Sequence, residues 1–248
     1  MSGHSKWSSI KHKKGREDAK RGKIFSRMSK FIMIAAREGG GNPEMNFMLA
    51  NAIAKAKEVN MPADNIERAI KKGTGEIEGG TLDHITYEGY GAGGVALLVE
   101  CLTDNRNRTA SDVRFAFNKH SGKLGSTGSV AYMFERKGII LIGKDEGDEE
   151  TILLTVADAG AEDVSPEDDH FEVTCDAKDL ENVKAALEGE GIAYQSADIS
   201  MLPKDTVEVN EKEAFKLLKL MDALEDLDDV QDVYANFDID DEILEKLG

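Results

Sequence analysis

The sequence predicts a multidomain α+β protein: a basic arm with an N-terminal three-helix bundle, a middle α+β domain, and a second mixed unit inserted into that middle domain. Three observations predict it. Apolar residues recur at helical spacing up to about residue 73 and in strand-like runs from about residue 81. With Ala161–Ser165 counted as a strand, residues 138–200 read β-α-β-β-α-β, the split plan of ferredoxin-like domains. The β-α-β that follows over 206–237 is too small to stand alone and would complete the sheet begun at 81–134. The divisions are therefore 1–80 for arm and helical domain, 81–134 plus 205–248 for the middle domain, and 135–204 for the insertion. The competing arrangement is two consecutive α+β domains with a frayed C-terminus.

Each element has a local signal. Residues 1–16 show neither helical nor strand period and read as an extended arm. From Asp18 to Glu38, Phe25, Met28, Ile32 and Ala35 form one wide stripe, stopped by Gly39-Gly40-Gly41. Asn42-Pro43 offers a cap and a proline at a first helical position, and Met45, Met48, Leu49, Ala52, Ile53 and Ala56 form the next stripe. A third helix begins near Met61-Pro62, carries Ile66, Ala69 and Ile70, and closes on Lys71-Lys72 with Gly73 beyond. Thr74–Gly80 is a linker. Ile85–Tyr87 and Val95–Leu102 read as strands around a glycine turn, Arg108–His120 as a helix and Ser129–Phe134 as a strand. In the insertion, Gly138–Ile142, Glu162–Ser165, His170–Cys175 and Ala193–Ser200 are strands, and Asp148–Ala159 and Lys178–Glu188 helices. Thr206–Val209, Lys212–Leu224 and Val230–Phe237 make the closing strand, helix and strand.

Charge narrows the function. The chain of 248 residues carries a net −17, yet residues 1–30 hold ten Lys/Arg against two acids. Residues 1–137 hold 23 basic and 15 acidic residues, net +8, and residues 138–248 hold 8 and 33, net −25. A basic front on an acidic rear makes a local electrostatic footprint that the total conceals. No apolar run approaches the ~20 residues of a membrane span, so no membrane partner is predicted. Cys101 and Cys175, the only cysteines, sit among apolar residues and read as reduced core thiols of a cytosolic protein.

Motifs for catalysis and cofactors fail on context. Gly89-Tyr-Gly91-Ala-Gly-Gly94 has dinucleotide-loop spacing, but a strand follows where a helix is required. Gly122, Gly125 and Gly128 lie on the helix-to-strand side, the wrong order for a phosphate loop. His4, His12, His84, His120 and His170 show no ligand spacing with the cysteines, and no serine sits in a nucleophile elbow. The expectation is no catalytic residue, no metal and no cofactor.

Two basic constellations remain. In the arm, Lys6, Lys11, Lys13, Lys14 and Arg16, continued by Lys20, Arg21 and Lys23, interleave with His4, Trp7 and His12. Phosphates would release counterions from such a cluster, and an aromatic ring among cations suits stacking on unpaired bases. The competing reading packs Trp7 on the bundle and leaves the lysines as solubilising charge. The second constellation is Asp104-Asn-Arg-Asn-Arg-Thr109 at a helix start, where Arg106 and Arg108 do not favour their own helix dipole. With Asn105 and Asn107 they form a candidate phosphate clamp, which Lys119 and Lys123 extend. The competing reading is an internal salt bridge to Glu88, Glu100 or Asp112.

The strings that carry these features resemble the YebC/PmpR family. They are Met1-Ser-Gly-His-Ser-Lys-Trp7, Asp18-x-x-Arg21-Gly-Lys-x-Phe25, Gly39-Gly-Gly-Asn-Pro43, Asn60-Met-Pro62 with Arg68-Ala-Ile70, Tyr87-Glu-Gly-Tyr90, Asp104–Thr109 and Gly128-Ser-Val130. The mitochondrial translational activator of cytochrome oxidase subunit one belongs to the same family. Ala92 departs from the family's usual proline and Asn42 from its usual aspartate. The resemblance implies a helical domain, a middle α+β domain and a ferredoxin-like insertion. It also implies a non-enzymatic, bacterial, cytoplasmic regulator of gene expression. That regulator is either a translation factor bound to the ribosome and rRNA that assists elongation at stalling sequences, or a DNA-binding transcriptional regulator. The absence of a recognisable DNA-reading motif and the repulsion of the −25 rear from duplex DNA favour the ribosome.

Overall fold

The computed structural model describes residues 17–78, 82–167, 169–240 and 243, and only the backbone of 17–21. The first unit is three helices, α1 (Glu17–Gly39), α2 (Phe47–Glu58) and α3 (Ala63–Gly73). Their stripes meet in a core of Ile32, Ala36, Leu49, Ala56, Met61, Ile66 and Ala69. α1 and α3 approach closely at Gly73, where an added Cβ would lie 2.4 Å from the Met33 carbonyl oxygen.

The middle unit is a four-stranded sheet in the order β3-β1-β2-β9, built from β1 (Asp83–Tyr90), β2 (Ala96–Thr103), β3 (Lys123–Leu124) and β9 (Val230–Ala235). β1 and β2 form an antiparallel hairpin with Tyr87 opposite Val99, and β9 adds to β2 with Ala235 opposite Leu97. The glycine segment between them is a tight turn with Gly93 and Gly94 at positive φ, so the strand-turn-strand reading of Gly89–Gly94 holds. α4 (Arg106–Lys119) and α7 (Glu211–Glu225) cover one face through Val113, Phe117, Leu217, Leu220 and Met221. The opposite face buries Ala96 and Leu98 against Val130, Phe134 and Tyr234. Burial on both faces is why Val95–Val99 is continuously apolar. β8 (Val207–Glu208) and β10 (Phe237–Asp238) form a small parallel pair beside it.

Between α4 and α7 the chain forms a second sheet, order β5-β6-β4-β7, from β4 (Phe134–Gly143), β5 (Ala161–Pro166), β6 (His170–Asp176) and β7 (Ser196–Pro203). All its pairings are antiparallel. α5 (Glu149–Ala157) and α6 (Leu180–Gly189) pack on it through Ile152, Val156, Val183 and Leu187. This is the ferredoxin-like plan, entered from the middle unit and left back into it, so the multidomain α+β class stands. Cys101 and Cys175 are free, buried thiols; burial pushes them up to about 12 and about 11.

Several local expectations are corrected. Asn42-Pro43 does not open α2: Asn42 accepts from the Glu44 N–H at 3.0 Å in a turn, and the cap is Asn46, which accepts from the Leu49 N–H. The Asn46 amide also donates to the Ala35 and Gly40 carbonyls, tying α2 to the end of α1. Met45 and Met48, expected in the core stripe, are 85% and 57% exposed. Ser129–Met133 is not a strand, and Phe134 is the first residue of β4. The buried Glu88 carboxylate accepts from the N–H groups of Gly128, Val130 and Ala131, which folds that segment into a turn before β4. Part of the Thr74–Gly80 linker lies outside the described residues.

Candidate nucleic-acid interface

α1 begins at Glu17, and its polar side repeats half-buried cations at +4 and +3: Lys23, Arg27 and Lys30. One helix face therefore carries all three. That face meets the acidic segment after α7. Lys23 pairs with Asp226 at 3.3 Å, Arg27 with Asp232 at 3.3 Å, and Lys30 with Asp229 at 2.8 Å, and Lys30 also donates to the Asp228 carbonyl.

Asp229 is the centre of this interface. Its side chain is 8% exposed and receives Lys30 on Oδ1 and Arg108 on Oδ2 at 2.7 Å. The Thr109 and Thr103 hydroxyls also donate to Oδ2, at 2.8 and 3.2 Å. Burial alone would raise this carboxyl; the two cations and Thr109 outweigh it and hold it at about 2.

α4 is set by the same cluster. Asn105 caps it by accepting from the Arg108 N–H at 3.1 Å, while Thr103 accepts from the Asn105 N–H. Arg106 points the other way and pairs with Asp83 at 2.7 Å. Arg108 adds Asp104 at 2.8 Å. Both arginines are thus in internal ion pairs, with Asp83, Asp104 and Asp229. Two of the candidate partners read from the sequence are engaged elsewhere: Glu88 holds the 128–131 turn and Glu100 faces His84 at 4.0 Å. The pairs leave Arg106 67% and Arg108 48% exposed.

The predicted residues do not form one clamp. Arg108 and Lys30 meet at Asp229, and Lys23 lies along the same helix face. Asn107 is exposed. Lys119, exposed at the far end of α4 beside the Phe115 ring, is about 20 Å from Arg106 along the helix. Lys123 is exposed on β3. His4, Lys6, Trp7, Lys11, His12, Lys13, Lys14 and Arg16 lie outside the described residues, as do the side chains of Lys20 and Arg21. Sequence reasoning missed Lys30 and Asp229. The 4-3 spacing of Lys23, Arg27 and Lys30 facing an Asp226–Asp232 run was the available signal.

Among the described residues no group of three or more His, Cys, Asp or Glu side chains could hold a metal ion, and no helix is long and apolar enough to cross a membrane.

Comparison with known proteins adds the following. Residues 5–76 match the family described as "TACO1/YebC protein N-terminal domain", and residues 82–237 match "TACO1/YebC second and third domain". A protein of Natranaerobius thermophilus named "Probable transcriptional regulatory protein" is 55% identical over 248 residues, covering 99% of each chain. One of Rubrobacter xylanophilus with the same name is 56% identical, covering 100% of this chain and 99% of the relative. The crystal structure of a conserved hypothetical protein from Aquifex aeolicus superposes with a TM-score of 0.84 at 50% identity, covering 95% of this chain and 97% of that one.

Proposed function

This chain belongs to the TACO1/YebC family, and we propose that it is a non-enzymatic, cytoplasmic regulator of gene expression that engages nucleic acid through its phosphates. The observation that carries the proposal is the segregation of charge: ten Lys/Arg against two acids in residues 1–30 of a chain whose net charge is −17. Cations clustered against that background gain from counterion release on a polyanion. The names of the relatives support a regulatory role.

Two finer readings follow. The relatives' names support a transcriptional regulator that binds a defined DNA duplex. A ribosome- or rRNA-bound translation factor is favoured by one structural observation. The helix start proposed as a clamp has its arginines drawn into ion pairs with Asp83, Asp104 and Asp229, so it offers no unpaired arginine for reading base edges in a duplex. Deleting residues 1–16 tests the shared proposal: the truncated chain should remain folded and lose affinity for nucleic acid at equal salt, and undiminished binding would refute it. The finer readings separate in direct binding. A transcriptional regulator should hold its operator duplex at least ~10³-fold tighter than random duplex. A translation factor should co-sediment with ribosomes and lose that association steeply with salt.

A further inference from the structure

We infer that the cleft between α1 and α3 is a binding site for the sugar-phosphate backbone of an unpaired nucleic-acid strand, with Arg68 and Lys72 as the phosphate-holding pair. The inference rests on the nucleic-acid reading above and locates a contact that lies outside the arm and outside the α4 helix start.

The cleft has a volume of about 350 Å³. Its lining is Phe25, Ser26, Ser29 and Met33 from α1 and Asn65, Arg68, Ala69 and Lys72 from α3. Met33 and Ala69, 8% and 3% exposed, make an apolar floor, and Phe25 packs on the same core. The walls are polar. Arg68 and Lys72 stand one turn apart on α3, and Asn65 lies three residues before Arg68 on the same side. Ser29 faces them across the cleft, with Ser26, whose hydroxyl donates to the Gly22 carbonyl at 3.1 Å. Among the described residues, none that lines the cleft is acidic.

Like charges at this spacing weaken a helix. The adjacent side of α3 has that problem solved, since Lys71 pairs with Glu67 at 2.6 Å. Arg68 and Lys72 have no acidic partner among the described residues. They differ in this from Lys23, Arg27 and Lys30, whose face is occupied by Asp226, Asp232 and Asp229. Two unneutralised cations, an amide and a hydroxyl converging over an apolar floor form a donor-rich recess suited to an anion.

Size and position select the ligand. A volume near the lower end of the ~300–1,000 Å³ range of small-ligand clefts admits one nucleotide unit and excludes a double helix. Serine and asparagine beside a phosphate site offer partners for the sugar hydroxyl. Phe25 is eight residues from the start of α1, about 12 Å along the helix, so the cleft lies close to where the basic arm joins the bundle.

The test uses the full chain, a fluorescent 12-nucleotide oligouridylate, the matching oligothymidylate and a 20-base-pair duplex, with affinity measured from 50 to 300 mM salt. Arg68→Gln with Lys72→Gln should weaken both unpaired strands about tenfold and lower the salt slope by about 1. Its melting temperature should be unchanged. Lys71→Gln, which removes one cation from the neighbouring side where the double variant removes two, should leave both quantities as in the wild type. Tighter uridylate than thymidylate identifies RNA as the source, and equal binding identifies the phosphodiester of either. Wild-type affinity in the double variant, an equal loss in Lys71→Gln, or an effect confined to the duplex would each overturn the cleft while leaving the nucleic-acid reading in place. A wild-type chain that binds none of the three probes at 50 mM salt would remove both.

Discussion

Replacing Asp229 by asparagine should destabilise the protein by about 2 kcal/mol at pH 7. The magnitude follows from the interface. The carboxyl sits at about 2 in the folded chain against 3.8 in an unperturbed one, a difference of about 1.8 units, and each unit corresponds to about 1.4 kcal/mol. Its side chain is 8% exposed, so solvent screening takes little from that figure, while Arg108, half exposed, retains water when its partner is lost. The folded value is depressed, so the stabilisation is fully present above about pH 4 and is lost as pH falls through about 2. Urea unfolding of wild type and Asp229→Asn across pH 7 to 3 should therefore show a stability difference that is flat down to about pH 4.5. It should fall to about half by pH 3, midway between the two values, where the unfolded chain has taken up a proton that the folded carboxyl has not. The charged cluster also holds α1, so amide exchange along α1 should accelerate in the variant at pH 7. A difference under about 0.5 kcal/mol, or one that does not shrink toward pH 3, would refute the assignment of Asp229 as the electrostatic centre of the contact between bundle and middle unit.

Other outcomes follow from the same contacts. Arg106→Ala removes a pair exposed on both sides and should change stability by under about 0.5 kcal/mol by thermal unfolding, whereas Arg108→Ala strips a cation from buried Asp229 and should cost more, about 1–2 kcal/mol. Glu88→Gln sets an amide NH₂ among three backbone N–H donors and should cost about 1–3 kcal/mol in urea titration. Burial opposes ionisation of Glu88, but those N–H groups hold its carboxyl below the usual range, so the loss should diminish as pH falls through that lowered value. Gly73→Ala places a methyl 2.4 Å from the Met33 carbonyl and 2.8 Å from the Ala36 Cβ, and forcing α3 away from α1 should lower stability by about 1–3 kcal/mol in calorimetry.

Periodicity alone determined the helices, most strands and the ferredoxin-like order, because each depends on side chains a few residues apart whose apolar faces must be buried together. The failure of Gly89–Gly94 as a nucleotide loop was legible for the same reason: the strand that follows it is written in Val95–Val99. Three things were decided only by the tertiary structure. Ser129–Met133 carries strand-like residues, yet a carboxylate forty residues earlier, Glu88, captures its backbone N–H groups and makes it a turn. Met45 and Met48 fit a helical stripe on paper, but Asn46 anchors the start of α2 to α1 and turns that stripe so that Leu49 and Ala56 take the core. The partners of Arg108 and Lys30 were not legible at all. Asp229 lies 121 and 199 residues away from them, and a charge in sequence says only that a partner or water is needed, whereas which carboxylate supplies it is settled by how the bundle docks on the sheet. The charge segregation that points to a polyanion is a property of the chain; which cations share one recess, as Arg68 and Lys72 do beside α1, is a property of the fold.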